Sequence, residues 1–326
     1  MGCAHRCVFC DQGRFSPSVP PGEIPRIARD FLAGCKNPGG RRRLVAFYGG
    51  SFTGIEEPLL KRYLQAAREL VEGGVVHGAK ASTRPDLVTP GLMERCSRAG
   101  FVEMEIGAQS MDDAVLAASG RGHGAGDTVR AARVVREAGL GLVVQIMPGL
   151  PGEDRDSFRR TVEELANLEP DGVRIYPTVV LKGTPLERLY RSGAYTPLTL
   201  EEAVDRTLYA FAAFSRRGSA VLRMGLPPLD PEHIAAGPHH PSFGFLVRAR
   251  AFGLMAGLLQ ERFGSGVELE VHPHDLPELL GHRGENRRAM GFSFSFNGCL
   301  PRGTVKAKGA SESGCLQPED IIEYIL

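Results

Sequence analysis

Residues 44–54 read LVAFYGGSFTG, and the break inside this stretch sets the rhythm of the whole chain. Leu44–Tyr48 is a short uncharged apolar run, the kind a strand covered on both faces needs, and Gly49-Gly50 stops it. Pro58–Glu72 follows with apolar residues at helical spacing, among them Leu60, Leu64, Ala67 and Val71. Outward from this pair the alternation repeats. The pattern predicts strands at Val75–Ser82, Phe101–Ile106, Leu140–Met147 and Gly172–Tyr176, separated by helices at Gly91–Ala99, Gly126–Ala138 and Asp154–Asn167. Each cycle takes roughly 30–40 residues, the length of a βα unit, and repeated βα units give a parallel sheet with helices outside it. The expected class is α/β, a partial TIM-type (β/α)6 barrel. Polar and glycine-rich tips follow the strands (Gly49-Gly50-Ser51, Thr83-Arg84, Gly107–Ser110, Pro148-Gly149, Pro177-Thr178), which places function at the C-terminal strand ends. A doubly wound open sheet is the competing arrangement.

Past Gly218 the rhythm changes. Pro227, Pro228, Pro231, Pro238 and Pro241 cluster with Gly225 and Gly237, as at a domain join. The expected division is a barrel over 1–218 and a small α+β appendage over 219–326, with a helix at Gly244–Phe263 and strands at Val267–Val271 and Phe292–Asn297.

Composition narrows the class. In 326 residues, 39 Lys+Arg against 38 Asp+Glu leave a net charge of +1, so no global field favours nucleic acid. Hydrophobic residues at 42% support a core and exclude a disordered chain. No apolar run reaches the ~18 residues of a membrane helix, and the N-terminus lacks a signal-peptide pattern. The 41 glycines and 23 prolines exceed the usual ~12% and fit many tight turns. Seven cysteines make an odd count, which argues against a closed disulfide framework and for a reduced, cytoplasmic chain.

Three of the seven, Cys3, Cys7 and Cys10, fall in GCAHRCVFC, residues 2–10. One helix face would give this spacing, but Gly2 is a poor start for a helix. A zinc ion completed by His5 or Cys35 is a second reading. An iron–sulfur cube held by three thiolates, with one iron open to a small molecule, is a third.

CxxxCxxC followed by a glycine-rich strand end resembles the radical S-adenosylmethionine (SAM) superfamily. FYGGSFTG (47–54), TRPD (83–86), EIGAQS (105–110), GRGH (120–123), MPGLPGE (147–153) and IYPTVVLKGTPL (175–186) follow in order. Together they look like the radical SAM half of the Elongator catalytic subunit, over roughly Cys3 to Thr196. The resemblance implies a [4Fe-4S] cluster on Cys3, Cys7 and Cys10, with SAM chelated at the open iron. SAM is then cleaved reductively to a 5′-deoxyadenosyl radical that abstracts hydrogen from substrate, inside a barrel that shields it from water. A flavodoxin- or ferredoxin-type electron donor is implied as partner. Phe9 and Met147 would pack near the adenine. Gly49, Gly50 and Ser51 stand where the family has a GGE-type motif for the SAM amino group, with Ser51 replacing the acidic residue. Glu105, expected at a strand end facing the lumen, and Gln109 would bond the ribose hydroxyls or amino group. An acidic residue in an apolar strand is costly unless it serves a site. Arg121 or Arg84 would hold the SAM carboxylate, and Gln145 lies on the same barrel. No catalytic residue is singled out.

Two departures bear on the substrate. Elongator-type proteins space the first two cysteines further apart, and they carry an acetyltransferase domain whose acetyl-CoA loop reads [QR]xxGx[GA]. No such loop occurs in 219–326. The chain is more similar to a shorter bacterial branch of barrel plus appendage. A tRNA base is one expected substrate class. A tetrapyrrole or other small molecule is the alternative, since the barrel motifs also resemble oxygen-independent coproporphyrinogen III oxidase, although Gln12 stands where that family has a fourth cysteine. A non-catalytic metal-binding protein is the third possibility. In this family a strand precedes the cysteine loop, yet only Met1 and Gly2 precede Cys3, so the first strand is expected to be missing and the true start to lie upstream. In the appendage, His239-His240 and His272/His274 are read as loop residues, Cys299 and Cys315 as structural thiols, and Arg41–Arg43 with Lys36 as a solvated basic run.

Overall fold

The computed structural model describes residues 2–3, 5–11, 18–35, 42–308 and 314–325. Its centre is a sheet of six parallel strands that curls into a half-barrel. β1 (Leu44–Phe47), β2 (Gly78–Thr83), β3 (Phe101–Gln109), β4 (Gly141–Ile146) and β5 (Gly172–Ile175) lie in sequence order. β6 (Val180–Leu181) leaves the sheet, and β7 (Ala220–Met224) then adds beside β5. A strictly sequential order has no point where the winding reverses, which excludes the doubly wound alternative.

Side-chain parity separates the two faces of the sheet. On the outer face Ala79, Ala81, Met104, Ile106, Val144 and Ile175 are fully buried against the surrounding helices. α1 (Ile24–Ala33) precedes the sheet. α2 (Glu57–Glu72), α3 (Pro90–Arg98), the short α4 (Asp113–Ala118), α5 (Ala125–Glu137) and α6 (Arg155–Asn167) follow successive strands. α7 (Pro185–Arg191) and α8 (Leu200–Arg216) lie between β6 and β7. Reciprocal capping bonds start two of these, Asp154 with Ser157 at α6 and Thr199 with Glu202 at α8. The alternate positions Lys80, Glu103, Glu105, Gln145 and Arg174 turn to the concave inner face.

The predicted strands and helices fall within a few residues of the observed ones, with two differences of consequence. β3 was expected to end at Ile106 but runs on to Gln109, because a register shift between Gly107 and Gln109 keeps it paired with β4. Glu105 therefore sits inside the strand rather than at its end. β7 pairs with β5 beyond the boundary expected at 218/219, so the sheet takes its last strand from the segment assigned to the appendage.

α9 (Phe243–Phe263) then leads to a second sheet. β9 (Glu268–Val271) pairs parallel with β10 (Ser293–Phe296) and antiparallel with β11 (Val305–Ala307), which pairs with β12 (Cys315–Leu316). Leu269, Val271 and Val305 share one continuous hydrophobic core with α9 and α8. β8 (Ile234–Ala236) pairs with β6 in a two-stranded ribbon. Among the described residues no helix is long and apolar enough to cross a membrane. On its outer flank β1 has no neighbouring strand among the described residues.

Candidate functional site

The cysteine segment crosses the C-terminal ends of the strands and is tied to them bond by bond. Cys3 Sγ lies 3.2 Å from Ser51 Oγ, just past β1. Buried Cys7 accepts a hydrogen bond from Arg121 Nη1 at 3.2 Å, and Arg121 Nη2 donates to the Gly107 carbonyl in β3. Val8 N–H donates to Ser119 O at 3.0 Å, Leu186 N–H donates to Val8 O at 2.8 Å, and Cys10 N–H closes a turn onto Cys7 O at 3.2 Å. Two glycine contacts make this seating possible. Gly122 has φ +64°, and a Cβ there would stand 2.9 Å from the His5 ring. Gly2 and Gly54 approach so closely that neither backbone leaves room for a Cβ. Phe9 and Tyr176 each pack against the buried cluster of Val115, Met147 and Leu150.

Below the cysteines the inner face is polar. Glu105, 4% exposed, accepts from Arg174 Nε at 2.7 Å and from the Tyr48 hydroxyl at 3.2 Å. The Arg174 guanidinium also lies 5.7 Å over the Tyr48 ring and 3.4 Å from the Tyr176 hydroxyl. Burial pushes the Glu105 carboxyl up from its ordinary range, and Arg174 and Tyr48 pull it back part of the way. Deeper in the same face Lys80 pairs with Glu103 at 3.2 Å. Gln145 Nε2 donates to Gln109 Oε1 at 3.1 Å, and Met147 N–H to Gln109 O at 3.0 Å. Gln109 has φ +68°, a conformation costing a side-chain-bearing residue about 1–3 kcal/mol, and these bonds on either side hold it there.

Among the described residues, only Asp230, Glu232 and His233 bring three metal-ligating atoms within 4.8 Å of one another, and they are largely exposed. The thiols of Cys3, Cys7 and Cys10 do not meet that distance. The histidine pairs of the appendage form no such group either. Of the basic run, Lys36 and Arg41 lie outside the described residues, as does Gln12.

The sequence profile of the radical SAM superfamily matches residues 1–165, and that of the radical SAM C-terminal domain matches residues 170–251. The chain belongs to the radical SAM superfamily. Among curated relatives it is 31% identical to the tRNA uridine(34) acetyltransferase of Methanocaldococcus infernus, over 64% of this chain and 47% of that protein. It is 37% identical to the enzyme of the same name from Dehalococcoides mccartyi, over 60% of this chain and 50% of that one. It thus spans about half the length of these two relatives, and 24% of a third from Methanocaldococcus jannaschii. The structure of archaeal Methanocaldococcus infernus Elp3 with an N-terminal deletion superposes with a TM-score of 0.62 at 23% identity, covering 75% of this chain and 59% of that one, which is a likeness of fold.

For this radical SAM chain the structure brings most sequence-predicted site residues to one end of the sheet. Gly49 and Gly50 have φ of 107° and 154° and lead into buried Ser51. Phe9 packs against the cluster that includes Met147, and Gln145 bonds Gln109. The two arginines part ways: Arg84 forms a forked pair with Asp86 at 2.9 and 3.1 Å, whereas Arg121 reaches Cys7. Each keeps one buried donor without a partner among the described residues, Arg84 Nη1 and Arg121 Nε. Sequence reasoning missed Arg174, Tyr48, Tyr176 and the Lys80–Glu103 pair. The signal was there, since Arg174 and Lys80 are charges inside short strands, as Glu105 is.

Proposed function

We propose that this chain reductively cleaves SAM to a 5′-deoxyadenosyl radical and uses it to take a hydrogen atom from a tRNA base. The observation that carries this reading is the seating of the cysteine segment over a polar inner face, with Arg121 aimed at Cys7. Cys3, Cys7 and Cys10 would hold a [4Fe-4S] cluster, as the match to the radical SAM superfamily implies. When bound, that cluster supplies the electron that breaks the sulfonium C–S bond.

The chain's own residues supply the rest. Arg121, a fixed cation beside Cys7, offsets thiolate charge, and its unpartnered Nε is a donor for the SAM carboxylate. Backbone carbonyls at Gly49 and Gly50 and the Ser51 hydroxyl are acceptors for the SAM amino group, in place of a carboxylate. Phe9 and Met147 form an apolar wall for adenine. Gln109 and Gln145 offer amide groups to the ribose hydroxyls. Glu105, committed to Arg174, shapes the floor beneath. A flavodoxin- or ferredoxin-type protein would deliver the electron. The tRNA base is favoured by the names of the two half-length relatives; the acetyl transfer in those names is not proposed for this chain.

Anaerobic reconstitution with iron and sulfide, followed by a 5′-deoxyadenosine assay with and without tRNA, tests the reading. Visible charge-transfer absorbance, SAM cleavage on reduction and stimulation by tRNA are expected. A chain that takes up iron without cleaving SAM sinks the enzymatic assignment, and cleavage indifferent to tRNA sinks the substrate.

A further inference from the structure

β5 and β7 lie side by side, and their register sets Arg174 opposite Arg223. Facing like charges repel unless something neutralises them. Glu105 does so for Arg174. Arg223 has no carboxylate partner among the described residues. Its Nε donates to the Gly225 carbonyl at 3.1 Å and its Nη2 to the Leu226 carbonyl at 3.0 Å. Carbonyls aim a guanidinium without cancelling its charge, and Nη1 is left with no partner among the described residues.

This cation opens onto a cavity of about 290 Å³ between Pro177 at the end of β5, Phe243 at the start of α9, and the loop carrying Leu226 to Pro241. Five prolines of that loop line the wall, so the cavity is shaped before anything enters it. His239 and His240 line it as well, and among the described residues no carboxylate does. His240 Nδ1 accepts the Ser242 N–H at 3.1 Å, which places the ring hydrogen on Nε2 as a donor. His282 stands edge-on to His240 at 5.8 Å between ring centres. Burial, with His282 and His239 nearby, holds the His240 imidazole below its ordinary pKa, so it is a neutral donor near pH 7. One uncancelled guanidinium with imidazole donors in a walled cavity is the donor set for an oxyanion.

We propose that this cavity is a phosphate site, with Arg223 as the cation and His239 and His240 as flanking donors, and that it anchors a phosphate of the nucleic-acid substrate. The cavity sits at the end of the sheet that carries the cysteine segment, so a strand held there presents a neighbouring base to the inner face. The second half of the proposal rests on the tRNA reading above; the site itself does not.

The test is a titration of the full chain, followed through the histidine ring resonances in NMR, with inorganic phosphate, a short oligouridylate and succinate. Phosphate and oligouridylate should shift His239 and His240 saturably, while succinate should not. Arg223→Gln should weaken phosphate by about tenfold or more, the size of one lost charge-assisted bond. Arg223→Lys should keep part of the affinity. His240→Ala, which leaves β7 untouched, should also weaken it, so a folding defect in the strand variant cannot mimic the result. Unshifted histidines, or equal affinity in all variants, overturns the site. Succinate binding in place of phosphate overturns the phosphate assignment, and phosphate binding with no response to oligouridylate overturns the nucleic-acid source. The readout needs neither cluster nor SAM, so its failure and a failure of SAM cleavage are separate observations.

Discussion

Removing Arg174 should strand a buried carboxylate. In Arg174→Met, Glu105 stays 4% exposed and keeps only the Tyr48 hydroxyl at 3.2 Å. Two unit charges with centres about 4 Å apart attract by roughly 4 kcal/mol at an effective dielectric near 20. The Arg174 side chain is 16% exposed toward the open inner face, so water screens part of that, leaving about 2–3 kcal/mol. Arg174→Met and Glu105→Gln should each lose about that much, and the double variant should lose less than their sum by about 2 kcal/mol. The chain has no tryptophan, so urea unfolding would be followed by circular dichroism. A pH series gives an independent check. Without Arg174, burial is opposed only by the Tyr48 hydroxyl and Lys80, and the folded pKa of Glu105 rises further above the unfolded value. A raised folded pKa means stability that is present at low pH and lost as pH climbs through it. The deficit of Arg174→Met against the parent chain should therefore shrink between pH 7 and pH 5. Additive losses within ~0.5 kcal/mol, with parallel pH curves, would refute the pairing.

Glu153, pushed up to about 7 by burial from 4.5, accepts from Gly149 N–H at 2.6 Å and Arg206 at 2.5 Å through Oε1, while Oε2 has no partner among the described residues and can carry the proton. Its contribution should be complete below about pH 4.5 and lost through pH 7, so the parent's unfolding free energy should fall relative to Glu153→Gln by at most about 3 kcal/mol, read from urea midpoints. Cys96 is fully buried, and burial lifts its thiol to about 12. A thiol reagent at pH 8 should label exposed Cys299 in the native chain and reach Cys96 only after denaturation; fast native labelling of Cys96 would contradict its burial. Cys7→Ser should abolish iron uptake on reconstitution while Cys96→Ser leaves it intact, and equal iron in both would remove Cys7 from the site. Gly122→Ala adds strain at φ +64° and a contact with His5, so it should lower thermal stability by about 1 kcal/mol or more and reduce bound iron.

Much of the barrel was legible because parallel strands buried on their outer face repeat one local pattern. Leu44–Phe47, Gly141–Ile146 and Gly172–Ile175 each stand between a helix and a turn that a short window can recognise. β7 was not, because Ala220–Met224 has no periodicity of its own and follows a helix directly; only its pairing with β5 makes it part of the sheet. The end of β3 failed for a related reason. The register shift at Gly107–Gln109 is dictated by β4, a partner 30-odd residues away, and leaves no mark in the residues themselves.

The amino-acid sequence by itself determined the family, the alternating architecture and the cluster of thiols, since each is written in residue type and spacing along the chain. Tertiary structure alone decided which charges meet. Glu105 and Arg174 are 69 positions apart and Arg121 and Cys7 are 114 apart, and nothing local ties either pair. Curling the sheet brings β3 and β5 across from one another over the inner face and lays the cysteine segment over β3. It also sets Arg223 beside Arg174, whose carboxylate partner Glu105 serves Arg174 alone among the described residues. Pairing across a curved sheet depends on register and curvature, which are properties of the assembled strands.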